Sequence, residues 1–414
     1  MAANAPAEVY VWVWLPGATE PVVAGRLEQL GGVVFFNYGR SYLARDNAIS
    51  LYEPELPLRA GRIRPHPSLW VPGCITDAGP DSWGRRVILQ QVTGHAGRDA
   101  DLDELSLLTY LLASGSDRIG GLDFQASATE YVPRVGGATL DELAEAAQRV
   151  QAGEPLSAEL DAALLHGTSI GGARPKATLR QGDRQWIAKF SSSTDPYPVV
   201  LAEAVAMRLA VSVGLDVAHT DVTRVLGRDV LLVERFDRTS VPGERRIMVS
   251  ALTMLQLDEM MGRYATYPDF AEVIRTRFTD PAATLRELFS RIVFNICVGN
   301  TDDHARNHAA FWDGTQLALT PAYDLCPQLR GGREVNQAMA IGPDGFRRSQ
   351  LRGAISAAAT YLLSPGEAQE IVQHIVDGIR REWTVASDAV GLTRAEREAM
   401  WERQILNPYI FEAE

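Results

Sequence analysis

Residues Ile296–Asp324 read ICVGNTDDHARNHAAFWDGTQLALTPAYD, and this stretch decides the fold. The apolar run that leads into it, LFSRIVFNICVG, has the length and spacing of a buried helix. It stops at Gly299 and Asn300, residues that readily leave the helical conformation. A polar loop follows, carrying Asp302, Asp303, His304 and Asn307. Two half-apolar runs, HAAFW and QLALT, then flank Asp313 and Gly314, a strong hairpin signal. Asp324 arrives in a Tyr-Asp-Leu step 22 positions after Asp302. On its own, an Asp and an Asn five apart are as compatible with a helix ending in a polar loop as with a chemical site. The hairpin and the second acid favour the site, and the rest of the chain has to decide.

The chain has 414 residues, 46% hydrophobic and 22% charged, enough for two or three lobes with a proper core. No apolar run approaches the roughly 20 residues of a membrane helix, and the first residues lack the basic start and cleavage site of a signal peptide. The expected location is therefore the cytoplasm. Cys74, Cys297 and Cys326 are scattered and odd in number, so neither a disulfide framework nor a zinc site is expected, and all three read as buried thiols. With 52 acidic and 40 basic side chains the net charge is -12, which argues against tight nucleic-acid binding by the chain itself. Arg330, Arg333, Arg347, Arg348 and Arg352 are the candidates for a local basic face. A solvated loop with scattered charge accounts for them better.

From the N-terminus, Val9 to Leu15 and the run from Val33 alternate as strands, with GRLEQLGG between them read as a turn and short connection. Arg45 to Val71 reads as largely irregular. DSWGRRVILQQVTGH and DELSLLTYLLASG read as helices, and Leu140–Ala152 as a surface helix that closes an N-terminal region. Residues His166 to Lys176 then bring Ser169 and the turn Gly171, Gly172, Ala173, Arg174, Pro175, Lys176. Glycines there would let backbone N–H groups approach a phosphate, although a plain glycine turn into a hairpin explains the segment better when it is taken by itself. It matches neither a Walker A loop nor a GxGxxG loop.

KATLRQGDRQWIAKF reads as two strands joined at Gly182–Asp183, the second carrying Lys189 in an apolar alternation. An ammonium there needs an anionic partner, since burying it unpaired is costly. Glu203 is the one acid on the next helix, VVLAEAVAMRLAVSVG. HTDVTRVLG and RDVLLVERFDR complete a small antiparallel sheet, and beyond Asp237 the pattern turns helical. Protein kinases arrange their parts in this order: a strand lysine paired to a helix acid, a hinge after the last strand, then the Asp, Asn and Asp of the helical lobe. By that logic Glu234, Arg235 and Phe236 form the hinge. The expected fold is α+β, a two-lobed protein-kinase-like architecture with an accessory N-terminal region, a β-rich small lobe and a helical C-terminal lobe. The expected divisions are 1–150, 151–236 and 237–414.

The combination SIGGARPKA, WIAKF, LLVERFDR, GNTDDHARNH and LTPAYDL, with PDSWGR and SDRIGG upstream, resembles the HipA family of toxin kinases over nearly the whole chain. The resemblance implies a serine/threonine protein kinase that uses ATP and Mg2+, together with a HipB-like DNA-binding antitoxin that connects it to DNA indirectly. It implies a protein substrate such as a translation factor, an aminoacyl-tRNA synthetase among them. It also implies that Asp302 is the catalytic base and that Asn307 and Asp324 bind Mg2+. Lys189, His304, Ala305, Arg306, Tyr323 and the loop Gly171–Lys176 would lie against ATP, with Glu203 supporting Lys189. Ser169 matches the family's autophosphorylated serine. Asp303 has no role in the pattern. Two other classes share these residues: a small-molecule kinase of the aminoglycoside or choline type, and a catalytically silent component of a repressor complex. The long N-terminal region and Ser169 disfavour the first, and the full set of polar groups disfavours the second.

Overall fold

Gly25 lies inside the segment expected as a connection, yet Val22–Leu30 is a strand. Its alternation of apolar and polar side chains outweighs the single glycine, and a Cβ at Gly25 would stand 2.1 Å from the Asn37 carbonyl oxygen of the neighbouring strand. The glycine is thus a close-approach residue within a strand, not the turn. The turn falls at Gly31–Gly32, where φ is +55° and +80°.

In the computed structural model the described residues are 6–93, 101–134, 138–152, 154, 160, 175–182, 184–192, 195–332 and 334–412. Compactness divides the chain into two units that interleave in sequence. The first takes 1–192, 223–249 and 311–315, and the second 193–222, 250–310 and 316–414. Among the described residues no helix is long and apolar enough to cross a membrane.

The first unit holds two antiparallel sheets. Strands β1 (Glu8–Val13), β2 (Val22–Leu30), β3 (Val33–Tyr38), β4 (Arg62–Ile63) and β5 (Leu122–Gln125) are ordered β4-β3-β2-β1-β5. Strands β6 (Lys176–Gln181), β7 (Arg184–Phe190), β8 (Thr220–Val225) and β9 (Arg228–Glu234) form the small sheet, ordered β6-β7-β9-β8. Helix α1 (Ser82–Thr93) starts where expected, with Asp81 accepting the Gly84 N–H at 2.9 Å. The next expected helix is interrupted: Leu102–Glu104 is a single 3-10 turn, and Ser106 caps a fresh helix α2, Leu107–Ala113.

Helix α3, Leu140–Ala152, has the expected bounds and exposes Asp141, Glu142, Glu145 and Gln148, as expected of a surface helix. Leu143, Ala146 and Ala147 are buried with Trp186, Ala188, Phe190, Val230 and Leu232 in one core. Its apolar stripe therefore belongs to the small sheet, across the boundary expected at residue 150.

The second unit is helical, apart from short extended segments. Helix α4 (Val199–Ser212) is apolar on nearly all sides. Helix α5 spans Tyr267–Arg277, α6 Pro281–Val298 and α7 Pro365–Val390, with α7 packed on α4 and α6. Cys74, Cys297 and Cys326 are free and buried, as expected. The five arginines suspected of a basic face do not share one setting. Arg347 donates to the Ala338 carbonyl at 2.7 Å, the guanidinium of Arg330 is tucked in 5.9 Å from the Tyr409 ring, and Arg333 lies outside the described residues.

Candidate active site

Helix α6 aims the polar loop. Asp280 caps its start by accepting from the Ala283 N–H at 3.1 Å, with Pro281 at the first helical position. Gly299 ends it in the left-handed conformation, φ +70°, with the Gln404 carbonyl oxygen 2.6 Å from where a Cβ would stand. Only glycine meets both conditions, so the chain leaves the helix at a fixed point. Arg291, buried in the same helix, donates to the carbonyls of Thr320 at 2.9 Å and Asp216 at 3.2 Å, which fixes the return of the hairpin toward Asp324. The expected hairpin is present as Ala309–Trp312 and Leu317–Leu319.

Within the loop, neighbouring aspartates are treated in opposite ways. Asp303 is buried, and its Oδ2 accepts hydrogen bonds from the Tyr267 hydroxyl, from Asn295 Nδ2 at 2.7 Å and from His308 Nε2 at 3.0 Å. Burial alone would push its carboxyl up. The charge attraction of His308 and the donated hydrogen bonds outweigh that and hold it below the ordinary aspartate value. Asp302 remains exposed. Desolvation by its surroundings raises its carboxyl, His304 opposes the shift, and the negative charges of Asp324 and Asp303 reinforce it.

The remaining residues are tied to this pair. Asn307 closes a 3-10 turn over Ala305–Asn307, its N–H donating to the His304 carbonyl at 2.8 Å and its Nδ2 to the Asp302 carbonyl at 3.3 Å. Asn300 Nδ2 donates to Asn295 Oδ1 at 3.0 Å and reaches the Asp324 carbonyl at 3.5 Å. Tyr323 donates its hydroxyl to the Arg306 carbonyl at 2.8 Å. Asp324 sits at φ +60°, a conformation that costs a non-glycine residue on the order of 1 kcal/mol and is concentrated at functional positions.

The donor set suits Mg2+ held against phosphate. The Nδ2 of Asn307 is engaged by the Asp302 carbonyl, so the oxygen its amide could offer a cation is Oδ1, a hard donor like the carboxylate of Asp324. Among the described residues no group of three or more His, Cys, Asp and Glu could hold a metal by itself, so most of a coordination shell would have to come from water or a bound ligand. His304 adds an orphan, since its Nδ1 is buried without a partner.

Other expected site residues lie in the first unit. Lys176 and Lys189 face each other in register on β6 and β7. Lys176 is buried, with Asp81 Oδ2 3.6 Å from its ammonium. Glu234 is paired loosely with Arg184 at 3.5 Å, and Phe236 packs edge-on to Phe311. Arg235 directly follows β9, as expected, and its side chain is engaged. Its N–H donates to the Gln185 carbonyl at 2.8 Å, and its guanidinium is sealed between Asp117 and Asp237. Glu203 is buried on α4 in the second unit. Ser169 and Gly171–Arg174 fall outside the described residues, whereas Pro175 and Lys176 are within them.

Two clusters escaped the sequence reading. One is the Tyr267–Asn295–His308 set around Asp303, whose signal was an Asn in an otherwise apolar helix. The other joins SDRIGG to LLVERFDR. Arg235 Nη1 meets Asp117 at 2.7 Å and its Nη2 meets Asp237 at 2.7 Å. Arg238 bridges the same two acids at 2.9 and 2.7 Å, and Gly120 donates its N–H to Asp237 at 2.7 Å.

A HipA N-terminal domain model matches residues 13–125, and a HipA-like C-terminal domain model matches 168–383, more than half of the chain. The chain belongs to the HipA family. Among relatives of this HipA-family chain, the serine/threonine-protein kinase toxin HipA of Shewanella oneidensis is 26% identical over 186 residues, covering 38% of this chain and 42% of that one. Toxin YjjJ of Escherichia coli is 23% identical over 282 residues, covering 63% and 60%. Both matches span less than two thirds of the relative's own length. The solved complex of Shewanella oneidensis HipA with HipB and its operator DNA contains a chain matched at TM-score 0.70 and 19% identity, with 95% of each chain covered, and this likeness establishes a shared α+β fold.

Proposed function

We propose that this HipA-family protein is an ATP-dependent serine/threonine protein kinase acting as the toxin of a toxin–antitoxin pair in the cytoplasm. The observation that carries the reading is the pair Asp302 and Asp303. Asp303 is buried with three donors on its Oδ2, while Asp302 before it is exposed, with the charge of Asp324 acting on it and an amide suited to a cation nearby.

Asp302 accepts the proton of a serine hydroxyl as its oxygen bonds to the γ-phosphorus of ATP. The bond from that phosphorus to the β–γ bridging oxygen breaks, and ADP leaves. Asn307 and Asp324 would hold Mg2+, which would supply positive charge against the phosphates. Lys189 meets the phosphates with Glu203 in support, and His304, Ala305, Arg306 and Tyr323 line the nucleotide side. Glu234–Phe236 follow the last strand of the small sheet as the hinge. Gly171–Lys176 approach the phosphates, with Lys176 partly committed to Asp81. Ser169 is the autophosphorylated residue, and about two added negative charges there would repel the nucleotide phosphates.

A HipB-like antitoxin is the proposed partner, supported by the complex in which the Shewanella chain was solved. The match to the HipA N-terminal domain model supports a protein substrate over a sugar or amine. Incubation with γ-labelled ATP and a cell lysate, followed by mass spectrometry, tests both points. The expected result is phosphoserine on a lysate protein and on Ser169. Label found only on small molecules would overturn the reading.

A further inference from the structure

Asp303 follows the proposed base and has no part in the reading above, yet it is the most heavily bonded side chain of the loop. Its three donors come from three places in the second unit: Tyr267 opens helix α5, Asn295 lies in the last turn of α6, and His308 precedes the hairpin. A carboxylate can only accept, so it dictates how the Asn295 amide lies. Nδ2 must face Asp303, which leaves Oδ1 for Asn300, and the Asn300 amide then points at the Asp324 carbonyl. On the other side Asp303 is covalently joined to Asp302, whose carbonyl receives Asn307 Nδ2.

We infer that Asp303 is a positioning residue for phosphoryl transfer: one buried acceptor that fixes Asp302, Asn307 and the backbone at Asp324 together. This rests on the kinase reading. A passive staple would need only to fill space and satisfy donors. A positioning residue works through the acceptor its donors share, so removing that oxygen must cost rate while keeping it in a neutral side chain must not.

The test is Asp303→Leu, which keeps the approximate size and removes the oxygen on which all three donors converge. The Asn295 amide then loses the acceptor that turns its Oδ1 toward Asn300. The expected result is a fall in kcat of about ten- to a hundredfold, together with faster hydrogen exchange across 299–308 and unchanged exchange in α7. Asp303→Asn is the conservative counterpart, since its carbonyl oxygen can take the place of Oδ2 and keep the three donors, and should retain most of kcat and of the loop protection. If Asp303→Leu does not fold, Tyr267→Phe removes one donor and should give a smaller loss in the same direction. Wild-type kcat and exchange in Asp303→Leu, or a loss in Asp303→Asn as large as in Asp303→Leu, would overturn the inference. Should the wild-type protein transfer no phosphate, the kinase reading fails, and the exchange measurements alone decide whether Asp303 holds the loop.

Discussion

Around Arg235 each charge meets its opposite, whereas around Asp302 acids outnumber bases. In the first cluster the guanidinium groups of Arg235 and Arg238 each bridge Asp117 and Asp237. Burial by itself would raise both carboxyls, and the two arginines pull them well below the ordinary value instead. In the second cluster Asp303 has the same treatment from neutral donors and His308, but Asp302 does not. It keeps its exposure and its carboxyl is raised. The first arrangement can hold two chain segments together but has no open acceptor. The second leaves one acid exposed and anchors its neighbour. On the function proposed above, perturbed acids of opposite sign would mark scaffolding in one place and chemistry in the other.

Breaking the first cluster should have the largest effect on stability. Arg235→Ala would leave Asp117 and Asp237 with too little compensation, a loss of about 3–5 kcal/mol, read as a lower midpoint in denaturant titration. Acid sharpens the contrast. Because Asp117 and Asp237 are lowered in the folded state, their contribution is complete above the ordinary aspartate pKa of about 4 and fades as pH drops below it. The thermal midpoint should therefore fall on acidification below that value, and fall less steeply in Arg235→Ala. Asp302 has the opposite sign. Its raised carboxyl means that ionisation opposes folding, so Asp302→Asn should match or slightly exceed the wild-type midpoint at neutral pH while transfer is lost. A clear drop in stability would erase the distinction between the two clusters. Smallest of all, the exposed pair of Arg306 and Glu259, 3.1 Å apart, should be worth less than about 1 kcal/mol when Glu259→Ala is compared with wild type.

Much of this architecture was legible in the sequence because it is written in local periodicity. The helix into Gly299, the hairpin at Asp313–Gly314 and the four strands of the small sheet all follow their patterns. What was not legible has physical causes. Gly25 was read as part of a turn, although a glycine inside an alternating run can mark the close approach of a neighbouring strand. The helix Leu140–Ala152 lies at the surface as expected, but that its apolar stripe packs on the small sheet is a long-range contact. The sealing of the Arg235 side chain is equally long-range, since its acids are 118 positions upstream at Asp117 and two downstream at Asp237. Asp303 was visible but unassigned, since its donors are spread from Tyr267 to His308.

The central claim is that Asp302 takes the proton while its neighbours hold the metal-bound nucleotide. Its most direct test compares Asp302→Ala with wild type in two assays on the same preparation, labelled phosphate transfer to protein and equilibrium binding of magnesium-ATP. The account predicts transfer reduced by about a hundred- to ten-thousandfold with binding retained. Transfer at the wild-type rate in Asp302→Ala would contradict it.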